Sequence, residues 1–271
     1  MKHPDSKQKS ADGIRRIIAV ANQKGGVGKT TTAINLATAM AACKRNVLVL
    51  DLDPQGNAST GLGVDRRGRG VSSYNVLMDG VPLAAATVGT SVPGLSLVPS
   101  TVDLSGAEVE LVNMPRREFR LREVLRSAPA AHDFVIIDCP PALGLLTLNA
   151  LTAADAVLVP LQCEFYALEG LSHLVRTIER VRRHLNPSLE IQGVVLTMFD
   201  SRNNLCGLVA DDVRGYFGDK VYKTVIPRNV RVSEAPSHGL PVLLYDTRCA
   251  GSQAYMSLAS EVLRREGALR P

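Results

Sequence analysis

Aromatic residues are scarce in this sequence of 271 residues. Tryptophan is absent, and aromatic residues together make up 4% of the chain. This scarcity argues against a protein that binds single-stranded nucleic acid by stacking bases on aromatic side chains. Apolar runs long enough to cross a bilayer are also missing, and residues 1–10 lack the apolar core of a secretory signal. We therefore expect a cytoplasmic protein that does not attach to membranes.

Cysteine is sparse as well, and the cysteines lack the close spacing that is typical of a metal site. The five cysteines lie far apart, and none forms a C-x-x-C pair. An odd number of distant cysteines predicts reduced, mostly buried thiols and argues against a disulfide framework or a metal cluster. The net charge of +5 permits a polyanionic partner without requiring one.

The most informative stretch is 23–31, which reads Q-K-G-G-V-G-K-T-T. It follows an apolar run at 17–20 and precedes a segment at 30–40 that is typical of a helix. A strand, a glycine-rich turn and a helix start form the setting of a phosphate-binding loop, because glycines let backbone N–H groups approach an anion. The predicted nucleotide-binding residues here are Lys24, Gly25, Gly26, Val27, Gly28, Lys29, Thr30 and Thr31.

Two side chains of this loop have the usual roles, and one is unexpected. Lys29 would neutralise charge on the β- and γ-phosphates, and the Thr30 hydroxyl would bind Mg²⁺. The general pattern G-x-x-x-x-G-K-[ST] requires glycine at position 23, where this chain has Gln23, and the chain has an additional lysine, Lys24. Lys24 is too close in sequence to fold back easily onto its own loop's phosphates. A solvated surface lysine is the simplest alternative.

Three aspartates follow predicted strands. Asp51 and Asp53 end the strand at 47–50, and Asp138 ends the strand at 134–138. The carboxyl ends of parallel strands form the ligand-binding edge of an α/β sheet, so these carboxylates should meet the phosphate loop there. We favour a catalytic or switch role for Asp51 and Asp53 over a simple turn-capping role. Asp138 resembles a Walker B aspartate, which would hold Mg²⁺ opposite Thr30.

Strands alternate with helices along the whole chain. This alternation predicts an α/β fold with a doubly wound, mostly parallel sheet and helices on both faces. We expect a single domain at 15–271 after a flexible polar arm at 1–14, and an exposed loop at 65–70. The predicted strands are 15–21, 47–50, 95–99, 134–138, 155–161, 191–199 and 221–226. The predicted helices are 30–40, 72–78, 115–126, 168–185, 209–217 and 251–266.

Four motifs together resemble a known family. They are K-G-G-V-G-K-T-T-T, V-L-D-L-D-P-Q-G-N-A, I-I-D-C-P-P and I-P-R-N-V-R-V-S-E-A-P-S-H-G. In this combination they are similar to the ParA/Soj chromosome- and plasmid-partitioning ATPases, from about Arg15 to about Arg265. The resemblance implies a P-loop NTPase fold of the deviant Walker A type, with ATP and Mg²⁺ as cofactors. It also implies a homodimer that sandwiches two ATP molecules and hydrolyses them slowly on its own.

The resemblance also implies roles for individual residues. Lys24 would reach across the dimer to the partner subunit's phosphates, as an arginine finger does. Asp53 would lie at the attacking water, and Asp51 would assist at the same edge. Lys29 would hold the β- and γ-phosphates. The I-P-R-N segment would line the adenine through Pro227 and Asn229.

The partners implied are DNA without sequence preference and a ParB-like centromere-binding protein that stimulates hydrolysis. Arg202 and Arg231 match the family positions that contact DNA, and arginine–phosphate contacts carry no sequence information. The protein would then associate with the nucleoid. Many relatives have a lysine after the final S-x-G, whereas here Leu240 follows Gly239, so one DNA contact would be lost.

Two alternatives share the nucleotide motifs. A MinD-like, membrane-associated positioning ATPase would need a C-terminal amphipathic helix, but the tail at 260–271 is short and interrupted at Gly267. A nitrogenase-type reductase would need a pair of cluster cysteines between subunits, and the cysteine spacing here does not provide one.

Overall fold

The computed structural model describes residues 16–268, so the predicted arm at 1–14 lies outside the described residues. Within this part of the chain, seven strands form one sheet. They are β1 (Arg16–Val20), β2 (Val47–Asp51), β3 (Val88–Gly89), β4 (Leu95–Val98), β5 (Phe134–Asp138), β6 (Ala156–Gln162) and β7 (Glu190–Thr197). Their order is β3-β4-β2-β5-β1-β6-β7, and every neighbouring pair is parallel except β3 and β4. The predicted mostly parallel sheet is confirmed.

Helices cover both faces of the sheet. Those of the described residues are α1 (Lys29–Ala42), α2 (Asn57–Gly61), α3 (Ser73–Met78), α4 (Leu83–Ala86), α5 (Leu104–Glu110), α6 (Arg120–Ser127), α7 (Leu145–Ala153), α8 (Ala167–His184), α9 (Asn204–Phe217), α10 (Val230–Glu234), α11 (Val242–Tyr245) and α12 (Ala250–Arg265). One apolar cluster packs α3, α6, α7 and α8 on the sheet, and a second cluster packs α1 and α12 there.

The central strands are apolar throughout because both of their faces are buried. In β1, Ile18 belongs to the cluster under α1 and α12, whereas its neighbour Ala19 belongs to the cluster under α7 and α8. Ile136 and Ile137 of β5 divide between the two clusters in the same way. Successive side chains of a strand point to opposite faces, so a strand covered on both sides has no polar alternation.

The predicted strand at 221–226 is wrong. This segment forms an isolated bridge to β7, between Val194 and Val221, but no continuous ladder. Its Tyr222 and Ile226 N–H groups donate to carbonyls of β7 over 2.9 and 2.8 Å. The backbone N–H groups of Lys223 and Thr224 instead donate to the Glu261 carboxylate of α12, over 3.0 and 3.1 Å. Because these two amides are bonded to a side chain, a regular strand ladder does not form here.

Other differences concern the ends of elements, several short elements that were not predicted, the nine-residue helix α7, and one buried arginine. The helix predicted from 115 begins at Arg120, and the one predicted from 209 begins earlier, where Asn203 accepts a hydrogen bond from the Leu205 N–H. The short strand β3 was not predicted. The loop at 65–70 is exposed except for Arg69, which is 7% exposed.

Candidate functional site

The glycine-rich loop joins β1 to α1 in the conformation that its sequence predicts. Gly26 has φ of 74°, and Gly28, which caps α1, has φ of 86°. Side chains rarely adopt such left-handed angles, which explains glycine at both positions. The Thr197 hydroxyl at the end of β7 donates to the Val27 carbonyl over 2.8 Å and fixes the loop against the sheet. No local pattern predicts a role for Thr197, because this contact joins residues 170 positions apart.

Lys29 is buried at the start of α1, and its Nζ donates to the carbonyl of Lys24 across the loop, over 2.8 Å. Burial lowers the pKa of Lys29, while the nearby carboxylates of Asp138 and Asp53 oppose that shift. A phosphate in the loop would offer this ammonium a charged partner in place of a carbonyl. Thr30 and Thr31 follow on the first turn of α1, and together with Lys29 they line a cleft in the protein surface.

The aspartates at the strand ends meet as predicted. Asp51 and Asp138 pair directly across β2 and β5, and both are fully buried. Burial raises the pKa of Asp138 well above its usual range, and the neighbouring Asp51 raises it further. Burial is also the main reason why the pKa of Asp51 is raised to about 6. Asp51, Asp53 and Asp138 lie near one another, with the buried Lys29 ammonium close to Asp53 and Asp138, so this group of carboxylates favours binding of a further positive ion.

The residues around Asp138 fit Mg²⁺. Neither carboxylate oxygen of Asp138 has a hydrogen-bond partner of normal geometry in residues 16–268, although the Thr30 hydroxyl lies close enough to favour the ionised form. Nowhere in that range do three or more His, Cys, Asp or Glu side chains form a group that could hold a metal ion. Mg²⁺ needs few protein ligands, since it keeps waters and binds substrate phosphates. A buried carboxylate without partners, beside Thr30, suits that role.

Asp51 organises the loop that follows it. Its two oxygens accept hydrogen bonds from the Ser59 N–H at 2.8 Å, the Ser59 hydroxyl at 2.6 Å and the Asp53 N–H at 3.2 Å. Arg69 closes this loop from outside by donating to the Ser100 carbonyl and the Thr60 hydroxyl. A Cβ on Gly56 would lie 2.2 Å from the Arg69 guanidinium, so a side chain there would displace Arg69 from these bonds. Direct participation of Asp51 in catalysis stays a prediction.

Asp53 faces a cleft of about 520 Å³, a size that suits a small-molecule ligand. Its backbone is held by Asp51, and its Oδ1 accepts the Gln55 N–H over 3.0 Å. Pro227 and Asn229 line the cleft too, so the predicted phosphate and adenine contacts share one cavity. Other lining residues are Gly25, Gly26, Gly28, Lys29, Thr30, Thr31, Gln55, Asn57, Pro141, Thr197, Met198, Ile226, Arg228, Val232, Ser233, Pro236 and Tyr255.

Lys24 stands apart from this cleft. Its side chain is 36% exposed, and its ammonium forms an ion pair with Glu164 of the turn after β6. Lys24 does not line the cleft, whereas Lys29 does. The two lysines of the loop therefore face different surroundings, one at the nucleotide cleft and one at the protein surface.

Cys139, which follows Asp138, is a packing residue. It is fully buried, and burial raises the pKa of its thiol far above the usual range. A thiol in that state is a poor nucleophile.

The two predicted DNA-binding arginines are on the surface near the carboxyl ends of β7 and the segment after it. Arg202 is 88% exposed and donates twice to Asp200, which lowers the pKa of Asp200 to about 2. Arg231 donates to Glu234 over 3.0 Å and lies 3.7 Å from Asp246. Both guanidiniums are accessible, and each is bonded to a carboxylate of its own chain.

Comparison with known proteins agrees with this geometry. The AAA domain family matches residues 15–191. The chain is 64% identical over 253 residues to the chromosome partitioning protein ParA of Caulobacter vibrioides, which covers 93% of this chain and 95% of that protein. The chain belongs to the ParA/Soj family of chromosome-partitioning ATPases. Another family member, the sporulation initiation inhibitor protein Soj of Bacillus subtilis, is 53% identical over 247 residues, 91% of this chain and 98% of that protein.

A solved structure shares the fold of this ParA/Soj family member. A cobyrinic acid a,c-diamide synthase from Mycobacterium smegmatis with a bound ATP analogue and magnesium matches with a TM-score of 0.83 and 40% identity, over 95% of this chain and 98% of that one. The P-loop ATPase fold predicted from the sequence is thereby confirmed. No helix in residues 16–268 has the length and apolar character that a membrane crossing needs.

Proposed function

We propose that this chain is an ATP-dependent DNA-partitioning ATPase whose ATP-bound homodimer binds DNA without sequence preference. A ParB-like partner stimulates hydrolysis, which releases the dimer from DNA and drives segregation. One observation carries the proposal: Lys29 and Asp53 line a nucleotide-sized cleft with Asp138 buried near Lys29, while Lys24 of the same loop lies outside the cleft and pairs with Glu164. A lysine placed outside its own cleft is suited to act on a neighbouring subunit.

In the cleft, the backbone N–H groups at 25–30 would bind the phosphates of ATP, and Lys29 would exchange the Lys24 carbonyl for a phosphate oxygen. Thr30 and Asp138 would hold Mg²⁺, which neutralises charge on the β- and γ-phosphates when bound. Pro227 and Asn229, which line the same cleft, would contact the adenine.

Asp53 is the residue that we propose to orient the attacking water. Its backbone is fixed by Asp51, while its side chain lines the cleft. An oriented water attacks the γ-phosphorus, the bond to the β-phosphate oxygen breaks, and ADP and phosphate leave. Asp51 would support this step by keeping the loop in place through Ser59.

Two exposed aromatic side chains support a dimer interface beside Lys24. Phe165 and Tyr166 directly follow Glu164, are 75% and 65% exposed, and stack edge to face at 5.1 Å. Large aromatic side chains next to each other on a surface are typical of an interaction site. Contact with a second subunit would bury them and bring each Lys24 toward the partner's phosphates.

For DNA, we propose that Arg202 and Arg231 exchange their carboxylate partners for backbone phosphates. Each sits in an exposed ion pair, which is worth only about 0–1 kcal/mol and is easily exchanged. The protein would then reside on the nucleoid. Leu240 offers no positive charge at the position where many relatives have a lysine.

The alternative of a MinD-like membrane ATPase is less well supported. It requires a free amphipathic helix, but Tyr255, Leu258 and Val262 of α12 are buried in the core cluster shared with α1. We propose that residues 15–271 form one ATPase domain that includes α12, with residues 1–14 as an arm.

Binding to a random DNA duplex and to anionic vesicles, each with ATP, ADP or no nucleotide, tests this function. We expect ATP-dependent DNA binding that Arg231→Ala weakens. Arg182→Ala is the matched control, because Arg182 forms a similar exposed ion pair, with Glu179 of α8. Binding to vesicles but not to DNA would contradict the proposal.

A further inference from the structure

The pairing of Lys24 with Glu164 has a consequence for dimer formation. The Lys24 ammonium contacts the Glu164 carboxylate, and the two side chains are 36% and 44% exposed. Lys24 lies in the phosphate loop after β1, and Glu164 lies in the turn between β6 and α8, so the contact joins residues 140 positions apart.

Both residues are held in place by their backbones. The Lys24 N–H donates to Asn22 Oδ1 over 3.1 Å, and the Lys24 carbonyl accepts Lys29 Nζ. The Glu164 N–H donates to the Gln162 carbonyl, and the Glu164 carbonyl accepts the Ala167 N–H at the start of α8, each over 2.9 Å. The ion pair is therefore preformed, and only the two side chains need to move to break it.

We propose that Glu164 is a positioning residue that retains Lys24 in the monomer and competes with the partner subunit's nucleotide for the same ammonium. This inference rests on the proposed function, because it requires Lys24 to act in trans. A point charge such as a lysine ammonium favours whichever anion it is closest to, and a nucleotide polyphosphate carries more charge than one carboxylate. The nucleotide displaces Glu164 from the Lys24 ammonium only when a second subunit brings that nucleotide within reach.

The same contact restrains the aromatic pair proposed for the dimer interface. Phe165 and Tyr166 follow Glu164 directly, and Tyr166 is the residue that precedes α8. When Lys24 leaves Glu164, the segment 164–166 loses its tie to the phosphate loop and is free to pack against a partner. Release of the lysine and burial of the already exposed aromatic pair against the partner are then one event.

The expected effect follows from the exposure of the pair. Partly exposed ion pairs change an equilibrium by about 2- to 5-fold each. A symmetric dimer breaks two of them, so neutralising Glu164 should strengthen dimerisation by about 4- to 25-fold. High salt should reduce the difference, since it screens the pair in the monomer.

Glu164→Gln tests the proposal, with Glu169→Gln as the control, because Glu169 is an exposed glutamate on the first turn of α8. Dimerisation is measured by sedimentation with Mg²⁺ and a non-hydrolysable ATP analogue. We expect half-dimerisation of Glu164→Gln at a lower protein concentration than wild type, and no shift for Glu169→Gln. An unchanged or weaker dimer in Glu164→Gln overturns the inference.

A second measurement needs no dimer. The acylation rate of Lys24 in the nucleotide-free monomer is followed by mass spectrometry, and Glu164→Gln should raise it relative to wild type and Glu169→Gln. Faster acylation of Lys24 without tighter dimerisation would show that Glu164 pairs with Lys24 but does not compete with dimer formation. That result would overturn the inference. A wild type that does not dimerise with the analogue at all would instead refute the proposed function, so the two failures are distinguishable.

Discussion

Replacing Asp51 with asparagine should stabilise the nucleotide-free protein at neutral pH. Asp51 is fully buried beside Asp138, and its pKa is raised from 3.8 to about 6, mainly by burial. Ionisation at pH 7 therefore costs the folded state free energy that the unfolded chain does not lose. A difference of about two pKa units corresponds to roughly 3 kcal/mol.

Asparagine recovers most but not all of this amount. Its side-chain oxygen can still accept the Ser59 N–H and hydroxyl, as Asp51 Oδ2 does. Its amide group would face the Asp53 N–H, which now donates to Asp51 Oδ1, and two donors cannot bond to each other. That lost hydrogen bond costs about 1 kcal/mol, so the net gain is about 2 kcal/mol.

The direction in which stability changes with pH follows from the raised pKa of Asp51. A carboxyl group with a raised pKa in the folded state contributes full stability below pH 3.8 and loses it as pH rises through about 6. The free energy of unfolding of Asp51→Asn, relative to wild type, should therefore increase between pH 4 and pH 7. Urea unfolding followed by circular dichroism suits the test, because the chain has no tryptophan. A variant that is less stable than wild type at pH 7, without nucleotide or Mg²⁺, would refute the reasoning.

Other changes give equally specific expectations. Gly56→Ala should lower stability by about 1–3 kcal/mol, seen in urea unfolding, because its φ is 62° and the new Cβ meets Arg69. Lys24→Ala should still bind ATP as a monomer but fail to dimerise in sedimentation; an ATP-dependent dimer would exclude the trans role. Asp53→Ala should dimerise yet hydrolyse ATP roughly 100-fold more slowly with the ParB-like partner; normal turnover would rule out Asp53. Arg202→Ala should reduce the salt dependence of DNA binding by about one phosphate contact.

Much of the fold and site could be predicted because the signals are local. The phosphate loop, Asp53 and Asp138 follow apolar strands in a pattern typical of a parallel sheet. In the structure Lys29 and Asp53 line one cleft and Asp138 lies near Lys29, while the roles of these residues stay predictions. Gly26 and Gly28 adopt the left-handed angles that their positions in the motif require. Each of these features depends on residues within a few positions of one another.

The remaining features depend on contacts between distant parts of the chain. Arg69 looked like a loop arginine, but it is buried because it satisfies carbonyl groups around Gly56. The segment at 221–226 has strand-like residues, yet its two central amides bond to Glu261 of a distant helix. Lys24 was singled out by sequence, whereas its partner Glu164 was not, because no periodicity links them.

The hydrogen bond between Thr197 and Val27 connects the phosphate loop to the chain segment that leads to Arg202. Thr197 ends β7 and holds the phosphate loop, and Arg202 follows only five residues later. Met198, between them, has an unusual φ of 48° that fixes the direction of the chain. If nucleotide binding shifts this strand end and so alters the affinity of Arg202 for DNA, thermodynamic reciprocity requires DNA to alter nucleotide affinity by the same factor. DNA would then change how tightly each subunit binds ATP.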